Sequence, residues 1–468
     1  MKPYDLVIIG GGSAGYAAAR TAAALNLSVA VIEGGREVGG LCVLRGCMPT
    51  KALLESAHRL HDLQRAGEFG LTVSGARADW KKIQRRKDAL VGEFAAYRRA
   101  QLEKGNFVFI RGQASFVDRH TLTVTRRGGK KFTVSGRAFI IATGSTVSAR
   151  AVPGLRETGF ITSDEALRLD RPPASIAVLG GGAVALEFAQ YFQRLGVKTT
   201  LIQRSGQVLS SQDADLANVL TDVFRREGMK VRLGTELLAV RKSGHNKQVR
   251  FRQNGRTLTV TVTEILCALG RTPRVTPLLP ANAGVRLDGQ RVQVNRALRT
   301  SQPHIFAAGD VCGPHEAAHL AVQQGETAAR NAARLLRGDP RREKMDYRLT
   351  MEIVFTSPEL AAVGLSEKAA AARGRAVLVA KYPFNDHGKS LIMGATDGFV
   401  KLIAAAADGA ILGTQIVGPH ASELIHELVV AMNYRATVSE LLRIPHYHPT
   451  LAEILTYPAE ELAAAAGR

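Results

Sequence analysis

Two βαβ units followed by a separate α+β segment make this an α/β chain, and three observations predict it. The order apolar strand, glycine cluster, alanine-rich helix, second strand occurs twice. Strands and helices alternate within both copies, the pattern of a parallel sheet with crossover helices. Beyond Met345 the pattern changes to β-rich runs ending in a helix. In the first copy Leu6-Val7-Ile8-Ile9 is the strand, Gly10-Gly11-Gly12-Ser13-Ala14-Gly15 the turn, and the helix runs to Leu25. Ser28 to Ile32 is the second strand, closed by Glu33. In the second copy the strand is Ile176-Ala177-Val178-Leu179, the turn Gly180-Gly181-Gly182-Ala183-Val184-Ala185, and the helix runs through Leu195. Lys198 to Ile202 follows, closed by Gln203-Arg204. After Met345 the runs Glu352–Phe355, Gly398–Ile403 and Ile411–Ile416 read as strands and Ser422 to Asn433 as a helix.

Composition sets the outer limits. A chain of 468 residues, 46% apolar, exceeds what one hydrophobic core organises and points to roughly three domains. The 62 Lys+Arg against 41 Asp+Glu leave a net charge of +21, dispersed along the chain. Excess positive charge can serve phosphate binding, but the only dense group is Lys81-Lys82 with Arg85-Arg86-Lys87, read as a solvated helix face. A nucleic-acid-binding protein is therefore the disfavoured class. Four cysteines, Cys42, Cys47, Cys267 and Cys312, are too few for a secreted disulfide framework and suit a reducing compartment. No apolar h-region with a cleavage site opens the sequence, and no run of 18 apolar residues occurs, so the expectation is a cytoplasmic protein off the membrane.

A G-x-G-x-x-G turn between a strand and a helix is the dinucleotide fingerprint. Its first glycine allows the tight turn, its second lets backbone approach a pyrophosphate, and its third position lets helix and strand pack closely. Gly10, Gly12 and Gly15 fill these places in the first copy; Gly180, Gly182 and Ala185 fill them in the second. Both halves thus read as Rossmann-like dinucleotide-binding domains. Glu33 can accept bonds from both ribose hydroxyls, as an adenosine without 2′-phosphate such as that of FAD requires, whereas Gln203-Arg204 suits a 2′-phosphate. The cofactors expected are FAD at the first site and NAD or NADP, leaning to NADP, at the second.

Between the two copies lies Gly39-Gly40-Leu41-Cys42-Val43-Leu44-Arg45-Gly46-Cys47-Met48-Pro49-Thr50-Lys51. Two cysteines five positions apart in a reduced chain are catalytic or metal-bound more often than structural. Zinc needs four ligands and no second Cys/His pair stands nearby, so no metal is expected. Pro49 starts a helix well, which brings Cys47 to a positive helix end, and Arg45 adds a cation; both favour thiolate. A redox-active dithiol is the reading that results.

The run from Gly39 to Lys51 resembles the active-site signature of the pyridine nucleotide-disulfide oxidoreductases, the flavoenzymes that include dihydrolipoamide dehydrogenase, glutathione reductase and mercuric reductase. Likeness extends along the chain: Ala142-Thr143-Gly144 resembles the closure of the flavin domain, Ala268-Leu269-Gly270-Arg271 the exit of the nucleotide domain, and Phe306-Ala307-Ala308-Gly309-Asp310 the second flavin motif. The resemblance implies an FAD-binding domain of residues 1–145 and 272–343, an NAD(P)-binding domain of 146–271, and an interface domain of 344–468 that pairs two chains into a homodimer. It implies that Cys42 exchanges with substrate, that Cys47 lies against the flavin, and that Lys51 sits near flavin N5 paired with Glu187. Gly10, Gly12, Ser13, Ala14, Gly15, Glu33, Gly40, Lys51, Ala114, Thr143, Gly144, Asp310 and Ala318 fall to FAD. Gly180, Gly182, Ala185, Glu187, Gln203, Arg204, Gly270 and Arg271 fall to the nicotinamide nucleotide.

Thiol–disulfide exchange also needs a proton carrier, and histidine has the suitable pKa. His448-Pro449-Thr450, followed by Glu453, supplies a base with an acid five residues on to orient it, and resembles the family's base pair contributed to the partner subunit's site. His446 reads as structural. This pair, with His319 and Pro49-Thr50-Lys51, favours a dihydrolipoamide dehydrogenase-like enzyme acting on a small or carrier-bound dithiol, a lipoyl domain included. The alternative is an NADPH-dependent reductase of another disulfide or a metal ion. Val184 to Gln190 looks like mercuric reductase, yet no cysteine follows Cys312; Ser13 and Arg20 fall where glutathione reductase contacts substrate, yet Glu326 stands where that enzyme offers an arginine.

Overall fold

The structure, a computed structural model, describes residues 2–148 and 152–466. Residues 1, 149–151, 467 and 468, which fall within the expected domain spans, lie outside the described residues. The chain gathers into two compact units. The first holds residues 1–52, 85–148 and 271–346, and the second 53–84, 149–270 and 347–468.

In the first unit β1 (Tyr4–Ile9) leads through the glycine turn into α1 (Ser13–Ala24) and β2 (Val29–Glu33), as the sequence predicts. The helices α2 (Gly40–Arg45), α3 (Cys47–Gln64, of the second unit from Leu53 on) and α4 (Trp80–Glu103, of the first unit from Arg85 on) follow, then β3 (Val108–Arg111), β4 (Gln113–Phe116), β5 (Thr121–Thr125) and β6 (Lys131–Ile141). The strands β3-β2-β1-β6 lie parallel, and strand Ile305–Ala307 adds to the far side of β6. The long β6 serves two sheets: its first half pairs antiparallel with β5, its second half parallel with β1. Leu6, Val7, Ile8, Phe139, Ile140 and Ile141 are wholly buried, the continuous apolar runs expected where a parallel sheet is covered on both faces.

Glycine is required at the turn itself. Gly10 has φ +111°, and a Cβ there would meet the Ala142 carbonyl oxygen at 2.2 Å; a Cβ on Gly15 would meet the Gly10 oxygen at 1.8 Å. Helix Ala318–Leu336 packs along α1 so closely that a Cβ on Gly325 would stand 2.2 Å from the Ala14 oxygen.

In the second unit β7 (Ser175–Leu179), α5 (Ala183–Arg194) and β8 (Lys198–Ile202) repeat the layout, joined by α6 (Ala214–Arg226), β9 (Lys230–Arg232) and β10 (Glu264–Cys267). The parallel order is β9-β8-β7-β10. Phe188 and Phe192 on α5 and Phe224 on α6 are buried against this sheet. The residues after Met345 build a five-stranded antiparallel sheet from β11 (Met351–Val354), β12 (Glu359–Gly364), β13 (Val377–Pro383), β14 (Phe399–Ala405) and β15 (Ile411–Gly418), in the order β11-β12-β15-β14-β13. Helix α7 (Ala421–Asn433) buries Ile425 and Leu428 on it.

One surface expectation needs correction. Lys81, Lys82, Arg85 and Arg86 are exposed on α4, but Lys87 is buried, its ammonium 2.7 Å from Asp88. At 100° per residue position 87 turns away from the other four, so it is not part of a solvated basic face. Among the described residues no helix is long and apolar enough to cross a membrane.

Candidate active site

The two cysteines sit on either side of a helix break. Cys42 belongs to the short α2, and Gly46 interrupts the chain before α3 starts at Cys47. The Cys47 thiol therefore occupies the N-terminal turn of an 18-residue helix, where backbone N–H groups favour negative charge. The four cysteines are unbridged thiols, and those of Cys42 and Cys47 hydrogen-bond one another. That bond together with burial pushes the Cys42 thiol well above its ordinary range, with Lys51 pulling it back only in part. The lowering expected for this motif is thus not shared by Cys42, because as the partner of an adjacent thiol it retains its proton. Arg45 reaches Glu37, 3.0 Å away, at the surface.

Around the cysteines the first unit adds residues that sequence reasoning passed over. The guanidinium of the half-buried Arg98 lies 4.2 Å from the centre of the Tyr16 ring and is close enough to Cys42 to attract a thiolate formed there. Arg20 pairs with Glu326 at 2.8 Å, so the two residues weighed in sequence for contact with glutathione meet each other.

The residues assigned to FAD form a bare-backbone cradle. Helix α1 begins at Ser13 after Gly12, without a side-chain cap, which leaves its first N–H groups for an anion. A Cβ on Gly40 would come within 2.7 Å of Gly12 Cα, so two glycine backbones line this approach. Glu33 accepts the Gly11 N–H at 2.8 Å and also that of Gly35. Thr143 Oγ1 is buried without a hydrogen-bond partner, and Gly144, at φ +68°, follows it. Ala114 is buried on β4 and Ala318 opens helix Ala318–Leu336, again without a side-chain cap. Asp310 accepts the Ser145 hydroxyl at 2.6 Å, and Ser145 Oγ accepts Arg271 Nε at 2.8 Å. An orphan buried hydroxyl, uncapped helix starts and a side-chain-free cradle fit FAD. Arg271, assigned from sequence to the nucleotide site, belongs to the first unit beside Asp310, while Gly270 belongs to the second.

The second fingerprint has the same mechanics. Gly180, at φ +122°, would place a Cβ 2.4 Å from the Ala268 oxygen, and α5 starts after Gly182 without a side-chain cap. Ala185 is wholly buried at the third position. The Gln203 side chain turns back to accept the Arg204 N–H and covers Gly181, whereas Arg204 is exposed. Glu187 is buried and accepts the Phe355 N–H at 3.0 Å; Lys51, its expected partner, lies in the first unit.

His448 Nδ1 stands 2.9 Å from Glu453 Oε2, the pair expected, with the imidazole mostly exposed and the carboxylate buried. The other oxygen of Glu453 faces a second histidine, His387, which the sequence did not single out. His446 is held by Glu427 at 2.8 Å and by the Ile444 carbonyl, in keeping with a structural role.

Residues 4–325 match the family described as pyridine nucleotide-disulphide oxidoreductase, and residues 350–459 match its dimerisation domain. The chain belongs to this family. It is 38% identical to the dihydrolipoyl dehydrogenase of Thermus scotoductus, over 99% of this chain and 98% of that one. With a dihydrolipoyl dehydrogenase of Bacillus subtilis it shares 33% identity over 97% and 96% of the two chains. Among solved structures, LpdA from Mycobacterium tuberculosis superposes with a TM-score of 0.88 at 29% identity, covering 98% of this chain and 99% of that one. The HOCl-induced flavoprotein disulfide reductase RclA of Escherichia coli, in its Cu(II) complex, gives 0.86 at 27% identity, covering 98% and 100%. This member of the pyridine nucleotide-disulphide oxidoreductases is a flavin-dependent disulfide oxidoreductase, with FAD and NAD(P) as the family's cofactors.

Proposed function

We propose that this protein moves two electrons between a dithiol of the dihydrolipoamide type and a nicotinamide nucleotide. The observation that carries the reading is the hydrogen-bonded pair Cys42–Cys47 at the start of α3, in a chain alike over its whole length to dihydrolipoyl dehydrogenases. In the oxidised enzyme the two sulfurs form a disulfide. A substrate thiolate attacks Cys42 Sγ; the Cys42–Cys47 bond breaks and Cys47 leaves as thiolate, favoured by the helix N-terminus. The second substrate thiol then attacks the substrate sulfur of the mixed disulfide, closing the substrate ring and freeing Cys42. His448 takes the proton of the first substrate thiol, the proton of the second passes by way of His448 to Cys42 as it leaves, and one proton stays on His448 to balance the Cys47 thiolate, with Glu453 holding its Nδ1–H. Bound FAD supplies the two-electron path from the reduced cysteine pair to NAD(P). Gly10, Gly12, Gly15, Glu33, Thr143 and Asp310 would hold it, with Lys51 beside its ring and Glu187 as the partner of Lys51.

His448 is exposed and lies in the segment matching the dimerisation domain, which supports a homodimer in which it serves the partner's cysteines. Residues 1–145 with 272–343 are assigned to FAD, 146–271 to the nucleotide and 344–468 to pairing. The exposed Arg204 favours NADP, and four unbridged thiols suit the cytoplasm. A net charge of +21 suits an acidic lipoyl carrier domain; a rate with such a carrier that does not change with salt would remove that support.

The test is anaerobic. Oxidised, FAD-loaded protein is mixed with dihydrolipoamide, the long-wavelength absorption of a thiolate lying against the flavin is followed, and NAD or NADP is then added. A band that forms within turnover time and is discharged by one nucleotide is expected. A band formed only by NAD(P)H assigns the enzyme to another disulfide or oxidant, and no band with either refutes the relay.

A further inference from the structure

We infer that His387 is a positioning residue for the proposed base, holding Glu453 so that one of its oxygens is committed to His448. The inference rests on the reading of His448 as the proton carrier. Glu453 lies in the turn Ala452–Leu455, buried, with a histidine at each oxygen: His448 Nδ1 at 2.9 Å from Oε2 and His387 Nε2 at 3.2 Å from Oε1. The second contact is off the line of a good hydrogen bond, yet neither His387 Nε2 nor Glu453 Oε1 has any other partner. Both atoms are cut off from water and 3.2 Å apart, so a small turn of the ring brings them into line and satisfies two buried groups at once.

The surroundings select how His387 uses its two nitrogens. It is wholly buried, and its Nδ1 is 2.8 Å from the hydroxyl of Ser390, which is buried too. With the hydroxyl donating to Nδ1, the proton sits on Nε2 and points at the carboxylate; the opposite tautomer would set the Nε2 lone pair against Oε1. The ring is packed edge-on against Tyr457, which stacks on Tyr382 at 4.2 Å, and the Tyr382 hydroxyl donates to Asp386. Glu453, Tyr457, Tyr382, Asp386 and, through Glu453, His448 are thus the titratable groups around it. A buried carboxylate held from both sides cannot rotate away from His448, whose own imidazole is mostly exposed and has no such packing.

The experiment measures single-turnover oxidation of dithiothreitol by full-length, FAD-loaded protein, with FAD content and melting temperature as controls for folding. His387→Phe keeps a ring and removes the N–H; His387→Gln puts an amide donor near the position of Nε2. His387→Phe is expected to slow the step about tenfold, and His387→Gln to recover most of the rate. In a Glu453→Gln background, which is itself slow, His387→Phe should add almost nothing, because it acts through Glu453. Full additivity, or no effect of His387→Phe alone, overturns the inference while leaving His448 as the base. If His448→Gln and Glu453→Gln leave the rate unchanged, the base assignment fails and takes His387 with it. Should His387→Phe not fold, Ser390→Ala is used instead; it leaves the ring and removes the tautomer lock, and a loss of about threefold that vanishes in the Glu453→Gln background is expected.

Discussion

His58 gives the most quantitative test of the structure. It projects from α3 with Nδ1 2.6 Å from Arg194 Nη1 and Nε2 3.3 Å from the Phe355 carbonyl, so it accepts from the guanidinium and donates to the backbone. Arg194, buried, is in turn held by Glu227 at 2.6 Å. Burial first, and the Arg194 charge second, push the His58 pKa down to about 4. An unfolded chain protonates this imidazole near pH 6.5. Above that pH both states are neutral and the site is indifferent to pH. Below it the unfolded state takes up a proton the folded state refuses, so stability falls from about pH 6.5 until the folded histidine titrates near pH 4. The displacement corresponds to about 3 kcal/mol. His58→Asn retains an acceptor for Arg194 and does not titrate. Urea unfolding followed by Trp80, the single tryptophan and a core residue of the same unit, should find wild type more stable at pH 7.5 and this advantage reduced by about 3 kcal/mol at pH 4. Other groups titrate alike in both proteins and cancel. An advantage that stays constant over that range would refute the assignment of a neutral, Arg194-bonded His58.

Three further outcomes are expected. Cys42→Ser should retain the long-wavelength thiolate absorption when the flavin is loaded and Cys47→Ser should lose it, a distinction that static spectra at pH 8 resolve. Arg204→Ala should lower kcat/KM for NADPH by about tenfold, the loss of roughly one charged hydrogen bond, and leave NADH within about twofold; equal losses would show that Arg204 does not read the 2′-phosphate. Gly325→Ala forces a Cβ to within 2.2 Å of the Ala14 oxygen and should separate α1 from its neighbour, costing about 1–3 kcal/mol and weakening FAD retention, measured by flavin released on dilution.

What could be read from the sequence follows from how local each feature is. The glycine turns at Gly10 and Gly180 are set by clashes with Ala142 and Ala268, each just past the end of the adjoining strand, and their spacing and strand–helix context mark them. His448 and Glu453 lie five residues apart, within reach of a spacing argument. His387 meets the same carboxylate from 66 positions upstream, and nothing in its own neighbourhood announces that contact. Arg271 follows the nucleotide motif in sequence but folds back to Ser145 in the first unit. The Cys42 pKa depends on which hydrogen bond its thiol finds, a matter of side-chain placement that motif spacing does not contain. Lys87 differs from its basic neighbours only in helical phase, which a count of charges overlooks.

The remaining two cysteines are held in a different chemical state from Cys47. Cys312 is buried, bonded to the Gly309 carbonyl, and its pKa is pushed up to about 12 by burial and by the nearby Asp310; Cys267 is buried on β10 and also raised. Neither offers a nucleophile near neutral pH. Cys42 keeps its proton as well, so of the four thiols Cys47, at the start of α3, is the one placed to react, and an electrophilic label applied to the native protein reads the relay directly: one sulfur reacts when it is charged, none when it is discharged. The chain is its own coulometer, and its redox state can be read by mass on an enzyme with no engineered cysteine.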